Sequence, residues 1–129
     1  MKSNIEIIEE LYRDFSNGNI ESIKEKFAPE IEWIQMKGFP NGGCHIGFDD
    51  IQKNVFKKFN ENWTNWTANV DEFLDAGESI FAIGHYEGKY NKTGKSFKAD
   101  FIHRYGLKEG QITKFTQYTD TNLVVKAMA

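Results

Sequence analysis

The stretch Ser96–Thr121, SFKADFIHRYGLKEGQITKFTQYTDT, decides the fold. Two runs of alternating residues flank a turn signal that ends at Gly110. Alternation with a period of two is typical of half-buried strands, so the stretch is predicted to form a β-hairpin. One face of the first run is apolar or aromatic except for a histidine in its middle, and it comprises Phe97, Ala99, Phe101, His103, Tyr105 and Leu107.

The second run brings a glutamine to the same face as this histidine. Side chains two residues apart on a strand share a face. If Phe115 points inward, then Gln117 and Thr119 point inward as well. The sequence therefore predicts that His103 and Gln117 meet on the concave side of one sheet.

The rest of the chain is predicted to supply the helices and strands around this hairpin. Ser3 and Asn19 are N-cap candidates for two helices, and Pro29 follows the second. The predicted elements are helices over about 3–17, 19–28 and 48–59, strands over 31–35, 67–74 and 79–90, a Gly-rich loop over 37–47 and a tail over 121–128.

These elements predict an α+β fold in one domain over residues 1–129. Their order is α-α-β-α-β-β-β-β, with a curved antiparallel sheet wrapped as a cone around the N-terminal helices. A cone of this kind leaves a cavity at its open end, which is a common place for a ligand.

Composition and charge argue against several classes of function. The net charge is −3 and the lysines are spread along the chain, so neither nucleic acid nor a membrane surface is an expected partner. The segment MKSNIEIIEELYRDF is typical of an amphipathic helix rather than a signal peptide. Cys44 is the only cysteine, so we expect a reducing, cytoplasmic location. The aromatic content of 15% indicates an aromatic-lined interior.

Four stretches carry a resemblance to a known superfamily. They are LYRDFSNGNIESIKEKFAPEIEW (11–33), HIGFDDI (45–51), KADFIHRYGLKEGQI (98–112) and FTQYTDTNLV (115–124). In order and spacing, they resemble the nuclear transport factor 2-like superfamily, and within it the SnoaL-like (polyketide cyclase-like) and ketosteroid isomerase-related proteins. The resemblance implies a cystatin-like fold, a small-molecule pocket without a cofactor, and a homodimer formed through the sheet.

The resemblance also implies that the isomerase machinery is altered here. Ketosteroid isomerase uses an aspartate base, and a tyrosine and a protonated aspartate as its oxyanion hole. When the flanking residues are matched, the isomerase tyrosine corresponds to Leu11, which is next to Tyr12. The aspartate base corresponds to Gln35, and the oxyanion-hole aspartate corresponds to His103. An amide cannot act as a general base, so steroid isomerisation is not expected.

His103 is the candidate catalytic residue. Its unperturbed pKa of about 6.5 allows it to act as an acid or a base near neutrality. The alternative is a buried histidine that a neighbour satisfies. The residues predicted to line a ligand pocket are Tyr12, Trp33, Gln35, Phe56, Phe59, Phe101, Tyr105, Phe115, Gln117 and Thr119.

Several of these residues have a second interpretation. Gln35 and Gln117 can hold a ligand carbonyl or hydroxyl, or they can pair with each other, because a buried amide needs partners. Tyr12 and Tyr105 can present hydroxyls to the pocket or can be core residues. The aromatic residues can equally be core packing.

Other polar residues give weaker signals. Asp120 is predicted to point away from the pocket and to cap a strand end, although a bulge would turn it toward His103. Cys44 and His45 are too few for a zinc site, and adjacent residues in an extended segment point apart, so neither a metal site nor a nucleophile is expected.

Three functions remain open on the sequence. The first is an isomerase, cyclase or hydrolase that transfers protons on a small apolar carbonyl or hydroxyl compound, with His103 as the acid/base. The second is a non-catalytic ligand-binding or dimerising module. The third is a protein-interaction domain, against which the charged outward row around Ile102 argues.

Overall fold

The computed structural model describes residues 2–129, and it contains helices at both ends and in the middle of the chain. The helices are α1 (Asn4–Asn17), α2 (Ile20–Lys26), α3 (Phe48–Ile51), α4 (Lys57–Asn62) and α5 (Thr121–Ala127), and a π-helical segment, Gln52–Phe56, joins α3 to α4. None of the helices formed by residues 2–129 is long and apolar enough to span a membrane.

The strands of the described chain form one curved sheet. They are β1 (Phe27–Gln35), β2 (Gly43–Ile46), β3 (Trp63–Ala76), β4 (Ser79–Tyr90), β5 (Ser96–Lys108) and β6 (Gln111–Thr119). Their order is β2-β1-β6-β5-β4-β3, and neighbours are antiparallel except β1 and β6, which are parallel. The α+β fold, with helices preceding a curved sheet, is confirmed.

Three details differ from the predicted order. The Gly-rich loop contains β2, which pairs with β1 from Glu32 to Gln35. The predicted tail forms α5, whose buried residues are only Val124 and Ala127. Pro29 does not end a helix but lies inside β1. The two missed elements are too short for a hydrophobic period to mark them, so tertiary packing decides their structure.

The first helix is fixed by signals that the sequence carries at both ends. Ser3 and Glu6 form a capping box, in which the Ser3 hydroxyl accepts from the Glu6 backbone N–H. Gly18 takes the left-handed conformation, with φ of 67°, that ends the helix. Between these caps, Ile8 and Leu11 are fully buried against the sheet. This placement aims the next residue, Tyr12, at the concave face.

The hairpin of β5 and β6 provides that concave face. His103 lies directly opposite Gln117, and Tyr105 lies opposite Phe115. All four of these side chains are buried. Trp33 on β1 stacks on Phe115 with ring centroids 3.7 Å apart. The predicted meeting of the histidine and the glutamine on one sheet face is confirmed.

Candidate functional site

A cavity of about 310 Å³ lies between the concave face of the sheet and the helices. Its mouth is formed by the exposed residues Ser16, Asn60 and Thr67, at the ends of α1 and α4 and the beginning of β3. Its deep end contains Tyr105 and Gln35, which are 0% and 3% exposed. The cavity therefore reaches from solvent to the buried end of the hairpin.

Most of the predicted site residues line this cavity. Those that do are Tyr12, Trp33, Gln35, Phe56, Phe59, His103, Tyr105 and Phe115. They come from α1, β1, the π-helical segment, α4, β5 and β6. The helices thus supply one wall and the curved sheet supplies the other. On α1, Tyr12 faces the cavity, whereas the neighbouring Leu11 belongs to the core.

Three residues predicted to line the cavity lie outside it. Phe101 stacks on the His103 ring, with centroids 3.9 Å apart, and packs into a second aromatic cluster beneath α5. Gln117 uses both ends of its amide on protein groups. The Thr119 hydroxyl donates to the Asp100 carbonyl at 2.8 Å. Alternation assigned these side chains to the correct face, but the cavity ends before it reaches them.

Sequence reasoning missed Tyr86, which links the histidine to the glutamine. Tyr86 lies on β4, lines the cavity and is 4% exposed. Its neighbours on the same face are Gly84 and Gly88, so that row lacks the run of large apolar residues that would mark an inward face. The sequence signal that could have identified Tyr86 is a single large polar aromatic residue between two glycines on one face of a strand.

His103 is held between two tyrosine hydroxyls. Its Nε2 lies 2.5 Å from the Tyr86 hydroxyl, and its Nδ1 lies 2.5 Å from the Tyr12 hydroxyl. The Tyr12 hydroxyl also lies 2.8 Å from the hydroxyl of Tyr105. We call these four side chains, Tyr86, His103, Tyr12 and Tyr105, the relay.

Backbone and indole donors fix the orientation of both glutamine amides. The Met36 N–H donates to Gln117 Oε1 at 3.1 Å, so Gln117 Nε2 is the atom that donates to the Tyr86 hydroxyl at 2.8 Å. The Trp33 indole N–H donates to Gln35 Oε1 at 3.1 Å, so Gln35 Nε2 is the free end of that amide. A flipped amide would place its NH₂ group against the Met36 or the Trp33 N–H. Neither N–H can accept a hydrogen bond, so the flipped orientations are excluded.

Gln35 Nε2 is a buried donor that has no acceptor among the residues described. A buried polar atom of this kind costs roughly 1–3 kcal/mol if nothing pairs with it. Gln35 also lines the cavity, so the cavity is where we look for the acceptor that its amide lacks.

The relay also has one hydrogen more than its own bonds can use. A neutral imidazole carries one N–H, and the three tyrosines carry one O–H each. The relay contains only three links, which are Tyr86–His103, His103–Tyr12 and Tyr12–Tyr105. One hydroxyl hydrogen is therefore left over, on Tyr105 if His103 is protonated at Nδ1 and on Tyr86 if it is protonated at Nε2.

Burial keeps the whole relay uncharged at neutral pH. Burial lowers the pKa of His103 from 6.5 to about 3, so the ring is neutral. It also raises the pKa values of Tyr12, Tyr86 and Tyr105 above their usual 10, so all three remain protonated. The expectation that His103 titrates near neutrality is wrong, because the sequence does not reveal how deeply the ring is buried.

The cavity wall carries no formal charge. Among residues 2–129, those that line the cavity include no aspartate, glutamate, lysine or arginine. Asp120 caps α5 by accepting from the Leu123 N–H at 3.3 Å, so it is not a partner acid for His103. A charge that enters this space loses its hydration and gains no counter-charge, which is strongly unfavourable.

The Cys44–His45 pair lies on β2, away from the cavity. Cys44 is exposed, whereas His45 bonds the Asn41 carbonyl at 3.1 Å and approaches Asp50 at 3.4 Å. Within residues 2–129, no group of three or more histidine, cysteine, aspartate or glutamate side chains is placed to hold a metal ion.

The family model for the SnoaL-like domain matches residues 8–115. The chain belongs to the SnoaL-like family of the NTF2-like superfamily. No curated protein sequence matches it.

Solved structures share the fold of this SnoaL-like domain over nearly its whole length. An NTF2-like protein from Burkholderia thailandensis is 36% identical, covers 100% of this chain and 99% of its own, and has a TM-score of 0.97. TerC, co-crystallised with polyporic acid, is 23% identical, with coverages of 97% and 97% and a TM-score of 0.87.

A third neighbour has a ketosteroid isomerase-like fold. It is a hypothetical protein from Catenulispora acidiphila in complex with trimethylamine, 14% identical, with coverages of 98% and 93% and a TM-score of 0.81. The similarities below 25% identity show the fold alone. Together with the curved sheet, they confirm the predicted cystatin-like, NTF2-like architecture.

Proposed function

We propose that the SnoaL-like domain binds a small, neutral, largely apolar molecule through a carbonyl oxygen. The observation that carries this proposal is the surplus of buried donors in an uncharged cavity. Gln35 Nε2 has no acceptor among the described residues, and the relay has one hydroxyl hydrogen left over. A carbonyl oxygen has two lone pairs and no hydrogen, so it complements two donors.

The walls support an aromatic or alicyclic ligand. Trp33, Phe56, Phe59 and Phe115 supply apolar ring surfaces around the polar end. A volume of about 310 Å³ is at the small end of ligand pockets and suits a compound of one or two rings. TerC, another protein with this fold, was co-crystallised with a small organic compound, polyporic acid.

In its catalytic form, the proposal is a proton shift within the ligand. Tyr105 gives its proton to the ligand oxygen, and one proton then moves along each link of the relay. His103 gives up the proton on Nδ1 and gains one on Nε2. Tyr86, which also lines the cavity, takes the proton that the ligand loses, so that atoms and charge balance. This is an isomerase or cyclase type of chemistry in which Tyr105 is the acid, Tyr86 is the base, and His103 transfers the proton between them.

Non-catalytic binding is the second candidate, and one observation favours it. No carboxylate lines the cavity among the described residues, and the low pKa of His103 makes the ring a weak base. The relay would then only hold the ligand. The two candidates share the binding mode and differ in turnover.

The bicyclic ketone 2-tetralone and the hydrocarbon tetralin form a matched pair of probes. Trp33 and Trp66 line the cavity, so ligand binding is expected to change tryptophan fluorescence. The proposal expects 2-tetralone to bind at least tenfold more tightly than tetralin. Equal affinities would overturn it. Deuterium uptake beside the carbonyl, measured by NMR in D₂O, distinguishes catalysis from binding alone.

The outer face of the sheet is the proposed homodimer interface, and the cytoplasm is the proposed location. Ile102 and Tyr118 are cross-strand partners there and are 41% and 48% exposed, which supports the interface. The lone, exposed thiol of Cys44 supports a reducing compartment.

Sedimentation of wild type and Ile102→Lys tests the dimer, which the substitution is expected to dissociate. A wild type that sediments as a monomer at all concentrations would contradict it.

A further inference from the structure

We infer that Gln117 is a positioning residue that sets the His103 tautomer and so places the free hydroxyl hydrogen on Tyr105. The role of this tautomer in ligand binding rests on the proposed function, whereas the tautomer itself can be measured without a ligand. It starts from the fixed direction of the Gln117 amide, which accepts from the Met36 N–H and donates to the Tyr86 hydroxyl.

The Gln117 amide determines which way the Tyr86 hydroxyl points. Because the Tyr86 oxygen already accepts a hydrogen bond from Gln117 Nε2, its own hydrogen is directed to the other partner, His103 Nε2. A nitrogen that accepts this bond cannot carry the ring proton. The proton is therefore on Nδ1, from which it is donated to the Tyr12 hydroxyl.

From Tyr12 the direction passes to the cavity. The Tyr12 oxygen accepts from His103 Nδ1, so the Tyr12 hydrogen is donated to the Tyr105 oxygen. Each tyrosine before the last then accepts one bond and donates one. The Tyr105 hydrogen has no further partner in the relay, and Tyr105 lines the cavity.

The result is a chain of five hydrogen bonds that all run in one direction. It begins at a backbone amide and ends at a cavity hydroxyl, in the order Met36, Gln117, Tyr86, His103, Tyr12, Tyr105. Hydrogen bonds in such a chain polarise one another, and this makes the terminal hydroxyl a stronger donor. In the opposite tautomer the direction reverses at Tyr86, whose oxygen then accepts two bonds.

The chain also explains why a glutamine is suited to this position. An apolar residue would leave the Met36 N–H without its acceptor and would let the Tyr86 hydroxyl rotate freely. Gln117 lies on β6 and Met36 directly follows β1, and both lie outside the cavity lining. Gln117 therefore acts on a ligand only through the relay.

Long-range ¹H–¹⁵N NMR of the ligand-free protein tests the inference directly, because it distinguishes protonated from bare imidazole nitrogens. The His103 signals are identified by their absence in His103→Gln. In wild type we expect Nδ1 protonated and Nε2 bare. In Gln117→Met, which keeps the side-chain length and removes the donor, we expect a mixture in which Nε2–H appears. Thr116→Val, one residue away and on the outer face, is expected to retain the wild-type signals.

Two results would overturn the inference. One is a wild-type His103 protonated at Nε2, which needs no variant and therefore does not depend on Gln117→Met folding. The other is an unchanged single tautomer in folded Gln117→Met. Because no ligand is present, these results leave the proposed function standing. Conversely, equal binding of 2-tetralone and tetralin would reject that function while the tautomer remained as expected.

Discussion

The Trp33 indole N–H donates to Gln35 Oε1 at 3.1 Å, and this bond determines which end of the Gln35 amide is left for the cavity. The two residues lie two positions apart on β1, so they share its inward face. The bond satisfies one buried donor and leaves another, Gln35 Nε2, without an acceptor among the described residues. In the proposed function, a ligand oxygen is the group that completes this arrangement.

Replacing Gln35 with methionine is expected to weaken 2-tetralone binding about tenfold more than tetralin binding. The substitution keeps a side chain of similar length but removes both the Nε2 donor and the Oε1 acceptor of Trp33. Loss of the acceptor affects both probes, so the loss specific to 2-tetralone should equal about one hydrogen bond, roughly 1–1.5 kcal/mol. Fluorescence titration measures both affinities. Gln111→Met, at an exposed position of β6, is the matched control. Equal loss of both probes would indicate a damaged cavity rather than a lost donor.

Removing the relay hydroxyls one at a time is expected to give unequal stability losses. Tyr12→Phe leaves a buried His103 nitrogen without its partner and should cost about 1–3 kcal/mol. Tyr105→Phe breaks one bond of the Tyr12 hydroxyl, which keeps its bond to His103, whereas Tyr12→Phe breaks two bonds, so Tyr105→Phe should cost less. Tyr118→Phe, at a 48% exposed position, is the control and should have almost no effect. Urea unfolding measures the three differences, and a larger loss for Tyr105→Phe than for Tyr12→Phe would contradict the relay.

The depressed pKa of His103 predicts a specific loss of stability in acid. Below about pH 6.5 the unfolded chain gains a proton on this histidine, whereas the folded ring stays neutral down to about pH 3. The free energy of unfolding should therefore fall as the pH falls, by about 1.4 kcal/mol per pH unit from this residue. In His103→Gln this contribution is absent.

The control for this prediction is the difference in the free energy of unfolding between wild type and His103→Gln, measured at each pH. Their other titrating groups are the same, so subtracting the His103→Gln stability from the wild-type stability isolates the histidine. We expect that difference to decrease steadily between about pH 6 and pH 4. A difference that does not change with pH would show that His103 titrates normally in the folded state.

Gly84 is expected to be required for the close approach of β3 to β4. A Cβ atom at this position would lie 1.9 Å from the Asn69 carbonyl oxygen, where the pairing of β3 with β4 shifts register. Gly84→Ala therefore forces the backbone apart and should cost about 3 kcal/mol or more. At Gly106 the nearest atoms would be 3.7 Å away, so Gly106→Ala should be nearly neutral. Thermal unfolding of both variants checks this, and equal effects would contradict it.

The hairpin was predictable because its information is local. A period of two over many residues places His103 and Gln117 on the inward face. Their pairing as direct partners also depends on a shift of register in β6 between Ile112 and Lys114, which the turn at Gly110 does not determine. The same period identified Tyr105 and Phe115 as inward-facing residues. Caps at Ser3 and Gly18 are equally local and were read correctly.

The relay was not predictable because it depends on contacts between distant parts of the chain. Tyr12 and His103 are 91 residues apart, and Tyr86 lies on a third element. The pairing of the two glutamines with each other, which was one alternative, does not occur: Gln117 bonds Met36 and Tyr86, and Gln35 bonds Trp33. The pKa of His103 depends on burial that only the folded structure reveals.

The most direct measurement of the central claim is the carbonyl ¹³C resonance of 2-tetralone, labelled at that carbon and bound to the protein. Two donors from the cavity wall polarise the carbonyl, so the resonance should lie downfield of its position in hydrocarbon solvent. In Gln35→Met and Tyr105→Phe it should move part of the way back. A bound resonance at the hydrocarbon position, unchanged by either substitution, would contradict the claim that buried donors hold the ligand oxygen.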